Sequence, residues 1–442
     1  MVKVLSGMRG SGKTTLLALF SDWLRNGGAD DDRIVYINME APENDSLLNY
    51  QGLYGYIRKR LCAGRFTYVL IDEVQRCPGY ENAIQSLLIR GHIDLYVAGS
   101  NAPFFSDVPY VEIRVLPLSF AEYLLFSRAR VPGKEEELKE FSVPIPAPGG
   151  TGAPDRPAVP VPPRQAFPVR TDRRLPRRKE QAERLIRQEA FNNYLSFGGL
   201  PFAAALGGDA GLIRQCVEGI YNTALIRDVA GQPGIGDIPL LEHVARTLSR
   251  STGRPAGAKN IAALIGAALI GATAIGAKGR KISSGTAETY MKALVAAFVF
   301  FHAGRFDIKT GKHLKTPGKY YVTDTGVRNL LLEPSPPDLT GQVENVVCLE
   351  LLRRGSWVCT GRHGGDEISF VAFTESPDEG GGRAYFQITD TLRDADAIER
   401  KISALQRIPG DHPRYLISLD ETPSRPDAGG VIRLNLLDWL LA

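Results

Sequence analysis

The chain opens on the apolar run Val2-Lys3-Val4-Leu5 and passes at once into Gly7-Met8-Arg9-Gly10-Ser11-Gly12-Lys13-Thr14, followed by a helical pattern over Thr14–Arg25. An eight-residue GxxxxGK[ST] loop between a strand and a helix leaves few folds open. Its glycines let backbone N–H groups turn inward and form a cradle for an anion. The helix beginning near Lys13 aims its positive dipole end into that cradle. Lys13 supplies a point charge for β- and γ-phosphate oxygens, and the Thr14 hydroxyl is a magnesium ligand. Residues Gly7 to Thr14, with Thr15 beside them, are therefore the candidate nucleotide site. ATP and Mg2+ are the expected ligands.

A second element supports this. Tyr68-Val69-Leu70-Ile71 ends in Asp72-Glu73, an apolar strand delivering two carboxylates. Asp72 is placed to hold magnesium, directly or through water. Glu73 is placed to polarise an attacking water, which implies hydrolysis. A third strand, Leu95–Ala98, runs into Gly99-Ser100-Asn101. Ligands of parallel sheets lie at the carboxyl ends of strands, so Ser100 or Asn101 can act as a sensor of the γ-phosphate. The catalytic candidates are Lys13, Glu73 and Asn101; the metal ligands are Thr14 and Asp72.

Short apolar runs at Val2–Leu5, Ile34–Asn38, Tyr68–Ile71, Leu95–Ala98 and Val111–Val115 read as buried strands. Thr14–Arg25 and Tyr80–Arg90 read as amphipathic helices between them. The alternation predicts an α/β fold with a parallel sheet, a P-loop NTPase core over 1–127. Residues 128–180 differ. Lys134–Glu140 is charged, and eight prolines follow between Pro144 and Pro163 with Gly149, Gly150 and Gly152 among them. Such a composition predicts a disordered linker or insertion. Its basic end (Arg170, Arg173, Arg174, Arg177, Arg178, Lys179) suits nucleic acid or acidic partners, or simply a solvated linker and helix start.

Residues 181–318 are helical in pattern, interrupted at Gly198-Gly199-Leu200-Pro201. Ile261–Ala277, the Ser/Thr-led helix Ile282–Ala297 and Arg305–Lys309 suggest a winged helix-turn-helix. Ile261–Ala277 carries no acid and only weak hydrophobicity, and it is shorter than the ~20 residues a spanning helix needs, so no membrane span is expected. Residues 319–442 return to mixed α/β, with strands expected at Tyr320–Val322, Trp357–Thr360, Ile368–Phe373, Ala384–Thr389 and Arg414–Ser418. The five scattered cysteines and the absence of a signal-like leader suggest a reduced cytoplasmic protein. A net charge of +4 gives nucleic acid no special claim.

Taken in order, these elements resemble the prokaryotic AAA-like P-loop ATPases with a C-terminal restriction-endonuclease-like domain. Further family motifs are Val111-Glu112-Ile113, Leu116-Pro117-Leu118-Ser119-Phe120, Tyr194 with Gly198–Pro201, and Arg227-Asp228-Val229. Lys319-Tyr320-Tyr321-Val322-Thr323-Asp324, Gly341-Gln342-Val343-Glu344-Asn345 and Glu350-Leu351-Leu352-Arg353-Arg354-Gly355 complete the set. The resemblance implies an AAA-like core, a helical and winged-helix middle, and a nuclease-like α/β domain over 319–442.

The chain departs from that family in several places. Arg9 is followed by Gly10 where members carry two arginines. The usual longer segment ending in Gly-Arg-Tyr is reduced to Ala102–Tyr110, without the arginine. Slow hydrolysis is then open, with Arg227 a substitute of unknown position. In the nuclease-like domain Glu344 stands as one acid. Ser369 replaces the central carboxylate, and Gln387-Ile388-Thr389 replaces Glu-x-Lys. One acid cannot hold a catalytic metal, so this domain is expected to cut nothing and to serve as an interaction or structural module. Three readings follow: an ATPase coupling turnover to conformational change, a nucleotide-gated binding module, and a DNA-binding ATPase. The partners would be ATP, and DNA or another protein through the C-terminal half. Oligomerisation stays open, and no membrane partner is expected.

Overall fold

The computed structural model describes all residues except 63, 102–104, 106–107, 129–176, 273–281, 333–337, 376–380, 421–425 and 428. The expected linker therefore lies almost wholly outside the described residues. Only its end is seen, as the first residues of a helix starting at Arg177.

The N-terminal sheet has five parallel strands, β1 (Val2–Ser6), β2 (Ile34–Asn38), β3 (Thr67–Asp72), β4 (Ile93–Gly99) and β5 (Tyr110–Arg114), in the order β2-β3-β4-β1-β5. Helices α1 (Lys13–Asn26), α2 (Tyr50–Arg58) and α3 (Tyr80–Leu88) connect them. β1, β3 and β4 are almost wholly apolar because strands buried on both faces must be. β5 was expected to be buried as well and is not. It is one of the two outer strands, paired with β1, and Val111 and Ile113 are exposed.

The chain continues through α4 (Phe120–Arg128), α5 (Arg177–Phe197), α6 (Pro201–Ala204), α7 (Ala210–Thr223), a π-helical turn at Ala224–Val229, α8 (Ile238–Arg250), α9 (Ala258–Ala272) and α10 (Ser284–Ala296). Local sequence sets several of these starts. The Asp209 side chain caps α7 through the Leu212 amide, Asp237 caps α8 through Leu240, and Ser283 caps α10 through Thr286. α9 buries Ile261 and Ile265. Among the described residues no helix is long and apolar enough to cross a membrane.

The three helices α8–α10 are followed by a hairpin of β6 (Phe300–Asp307) and β7 (Lys312–Val322). This hairpin is not free. β6 also pairs in parallel with β8 (Trp357–His363), so it forms one end of a second, mixed sheet. β9 (Asp366–Phe373), β10 (Arg383–Ile388), β11 (Arg414–Ser418) and β12 (Val431–Asn435) complete it, in the order β12-β11-β10-β9-β8-β6-β7. α11 (Thr325–Leu332), α12 (Leu339–Arg353), α13 (Ala395–Gln406) and α14 (Leu436–Leu440) flank this sheet.

Two cores join the parts. Phe120 and Leu124 of α4 and Phe191 and Tyr194 of α5 pack into the core formed by α12, α14 and the second sheet. The helical core around Val217, Tyr221, Leu241 and Leu294 takes in Met8 from the glycine-rich loop. The Leu116–Phe120 motif forms a joint. Leu118 donates its amide to Gly199 O at 2.7 Å, and its carbonyl accepts from the Tyr194 hydroxyl at 3.0 Å. Arg353 Nη2 reaches Pro117 O at 2.7 Å.

Candidate nucleotide site

The loop between β1 and α1 is built on backbone geometry. Gly10 and Gly12 have φ of +82° and +102°, a region side-chain-bearing residues seldom adopt. Gly7 is needed for space, because a Cβ there would stand 2.1 Å from Val115 O. Val115 in turn donates its amide to Ser6 O at 2.7 Å, so the segment after β5 backs the loop. Gly12 ends the loop with no side-chain cap, which leaves the first amides of α1 facing the cradle.

Lys13 is buried and folded onto the loop, donating to Gly7 O at 2.8 Å and Met8 O at 3.0 Å. Burial lowers its pKa, against the pull of Glu73 and Asp72. Thr14 and Thr15 are exposed on the first turn of α1. Ser11 is buried, and its hydroxyl has no hydrogen-bond partner among the described residues.

Asp72 ends β3. Its Oδ1 accepts the Glu73 amide at 3.1 Å, while buried Oδ2 has no partner among the described residues. Burial raises the Asp72 pKa; the nearby Thr14 hydroxyl and the charge of Lys13 work against this. A buried carboxylate oxygen left open beside a threonine hydroxyl offers oxygen ligands that suit a magnesium ion carried in with phosphates, and the Lys13 ammonium is placed for the phosphates themselves. Among the described residues no group of three His, Cys, Asp or Glu side chains could hold a metal alone.

Glu73 takes φ +51°, which turns the chain sharply at the strand end. Its buried carboxylate accepts from Gln75 Nε2 at 2.6 Å and from Arg9 Nη2 at 3.4 Å. Burial raises its pKa, opposed by Lys13 and Arg9. Gln75 also bonds the buried Ser100 hydroxyl at 3.3 Å. Asn101 Oδ1 accepts from Gln232 Nε2 at 3.1 Å. Lys13, Thr14, Asp72 and Glu73 thus share one site at the carboxyl edge of the sheet. Asn101 faces the helical region instead. The shortened stretch before β5 lies partly outside the described residues.

Arg9 is the most connected residue of the site. It pairs with Asp228 at 3.1 Å, Glu40 at 3.2 Å and Glu73 at 3.4 Å. Burial alone would lower its pKa; Asp228, Glu73 and Glu40 together raise it well above the ordinary guanidinium value. Arg227 is largely exposed and reaches Glu40 at 3.3 Å. Glu40, Gln75, Asp228 and Gln232 had no expected role. Asp228 stood in the Arg227–Val229 motif, and Gln75 followed the carboxylates, but neither carries a signature of its own. Only the fold brings them to Arg9 and Glu73.

In the second sheet Lys319 bridges Glu344 at 3.0 Å and Glu367 at 2.6 Å, and the Tyr321 hydroxyl donates to Glu344 at 2.7 Å. Ser369 donates to Gln387 Oε1 at 3.0 Å. The positions singled out in the sequence meet here, joined by a second carboxylate, Glu367, that the count of one acid had left out. Both carboxylates are engaged by one ammonium.

Residues 1–124 match a family described as "AAA domain", and residues 188–338 match a domain of unknown function. An uncharacterized protein of Haemophilus influenzae is 25% identical over 448 residues, spanning 100% of this chain and 94% of that protein. Among solved structures, the Aeropyrum pernix ORC1 protein in complex with DNA is similar at TM-score 0.30 and 14% identity, over 74% of this chain and 85% of that one. C. elegans PCH-2 is similar at TM-score 0.22 and 18% identity, over 34% of this chain and only 43% of that one. The loop, the parallel sheet and the strand-end carboxylates all lie within residues 1–124, the stretch that matches the AAA domain family.

Proposed function

We propose that the protein binds Mg·ATP at Gly7–Thr15 and hydrolyses it, coupling the nucleotide state to the helical region. The observation that carries this reading is the open, buried Oδ2 of Asp72 beside Thr14 and Lys13. Lys13 would turn from the loop carbonyls to the β- and γ-phosphate oxygens. Thr14 and Asp72 would hold the magnesium, which supplies charge neutralisation when bound. Glu73 would take the proton of the attacking water. The test is calorimetric titration with a non-hydrolysable Mg·ATP analogue: binding by the wild type and its loss in Lys13→Ala are expected. Unchanged affinity in Lys13→Ala would sink the reading.

A second reading, a nucleotide-gated module with little turnover, is favoured by one observation. Glu73 is engaged by Arg9 and Gln75 rather than open to a water. Steady-state phosphate release by the purified protein separates the two. For the C-terminal region we favour an interaction or structural module over a nuclease, since Lys319 occupies both nearby carboxylates. The domain division at residues 127, 180 and 318 and the winged-helix assignment remain part of this proposal. The helix order α8–α10 and the following hairpin support the latter.

A further inference from the structure

The helical region lies directly against the phosphate loop. Ile220 of α7 is close enough to Gly10 that a Cβ there would stand 3.0 Å from its Cγ2. Pro201 at the start of α6 approaches Gly12, where a Cβ would stand 3.7 Å from its Cγ. One short stretch then crosses the carboxyl edge of the sheet. Arg227 bonds Glu40 just after β2, Asp228 bonds Arg9 in the loop, and Gln232 bonds Asn101 after β4. That stretch begins inside the π-helical turn Ala224–Val229. Such turns are rare and recur at functional sites.

The strongest tie in this strap is bidentate. Arg9 Nε lies 3.1 Å from Asp228 Oδ2, and Nη2 lies 3.2 Å from Oδ1. The Asp228 side chain is only 4% exposed. A buried carboxylate deprived of its cation is costly. It must then find another partner or move to water.

Arg9 is also the group in the loop best shaped to grip a phosphate, because its planar fork matches phosphate oxygens as well as carboxylates. A nucleotide entering the cradle would find that fork already taken. The same edge holds Glu40, Asp72, Glu73 and Asp228, against Arg9, Lys13 and the largely exposed Arg227 as cations. An added polyphosphate and the Asp228 carboxylate therefore compete for one guanidinium.

We propose that Arg9 is an exchangeable latch: nucleotide phosphate takes its guanidinium from Asp228, and the strap over residues 224–232 then lifts from the sheet edge. The exchange also withdraws Arg9 from Glu73, leaving Gln75 as its one remaining side-chain restraint among the described residues. Nucleotide occupancy is thereby reported to the helical core through one ion pair. This inference rests on the ATP-site reading above and adds its regulation.

Hydrogen–deuterium exchange on the full chain tests it, with and without a non-hydrolysable Mg·ATP analogue. Amides of 224–232 should exchange faster when nucleotide is bound. In Asp228→Asn they should exchange fast without nucleotide, and the analogue should bind roughly tenfold tighter because the latch no longer has to open. If the wild type binds, Lys13→Ala does not, and 224–232 exchanges equally in both states, the site stands and the latch is overturned. If no variant binds, the site reading falls and the latch with it. The exchange comparison on the unsubstituted chain decides the matter even if Asp228→Asn fails to fold.

Discussion

Gly198 stands directly over the Asp324 carboxylate: a Cβ on Gly198 would lie 2.1 Å from Asp324 Oδ1. The backbone around that glycine closes on the acid. Gly199 donates its amide to Oδ2 at 2.7 Å, and Val327 donates to Oδ1 at 3.1 Å. The Gly198–Pro201 break between α5 and α6 and the Lys319–Asp324 segment are thus two halves of one buried contact.

This contact predicts a pH dependence. Burial outweighs the amide hydrogen bonds and raises the Asp324 pKa from 3.8 to about 6. Well below pH 3.8 the acid is protonated in both folded and unfolded chains. Between about 4 and 6 the unfolded chain releases its proton first, so stability falls as pH rises, by about 3 kcal/mol in all. Urea unfolding across this window should show that decline, and Asp324→Asn should lack it. Equal pH slopes for the two proteins would count against the burial argument.

Gly7→Ala should destabilise the protein by about 1–3 kcal/mol, since its methyl would overlap the Val115 carbonyl. The loop can escape only by shifting, so nucleotide affinity should fall as well. A denaturation midpoint and an affinity both at wild-type values would show that the backbone yields freely there.

Lys319→Met should cost about 3–5 kcal/mol, because it strands Glu344 without its buried cation. Burial alone would depress the Lys319 pKa, but Glu344 and Glu367 hold it above the ordinary lysine value. Adding Glu344→Gln to Lys319→Met should recover part of the loss in chemical denaturation. A double variant no better than the single would mean that packing, and not charge, accounts for the effect.

Glu73→Gln should keep nucleotide binding and lose turnover by about 100-fold or more, the usual contribution of a general base. Normal phosphate release by this variant would remove Glu73 from that role.

The parallel sheet and the loop were legible because their signals are local. Buried central strands need unbroken apolar runs, and the cradle needs glycines at fixed offsets, so β1 to β4 fall where the runs do. The edge position of β5 was not legible. A run such as Val111–Val115 looks the same on an edge as in the middle, and only strand order exposes Val111 and Ile113. β6 hid for another reason. Phe300–Asp307 continues a helical region in sequence but pairs with β8 far along the chain. At the site, Lys13, Thr14, Asp72 and Glu73 announced themselves by spacing. Asp228 stood in the Arg227–Val229 motif but without a role, and Gln232 and Glu40 stood in none; each gains its part only when the fold sets it against Arg9, Asn101 or Arg227.

Met8 lies inside the glycine-rich loop, yet its side chain is fully buried with Leu200, Tyr221 and Val244 in the helical core. The loop's stiffness is therefore borrowed from packing in another part of the molecule. The two should melt together as one cooperative unit. A cavity cut far from any phosphate, at Val217 or Leu241 for instance, would then soften the cradle without touching it. Drift in the helical core over evolutionary time would surface as a change in nucleotide affinity.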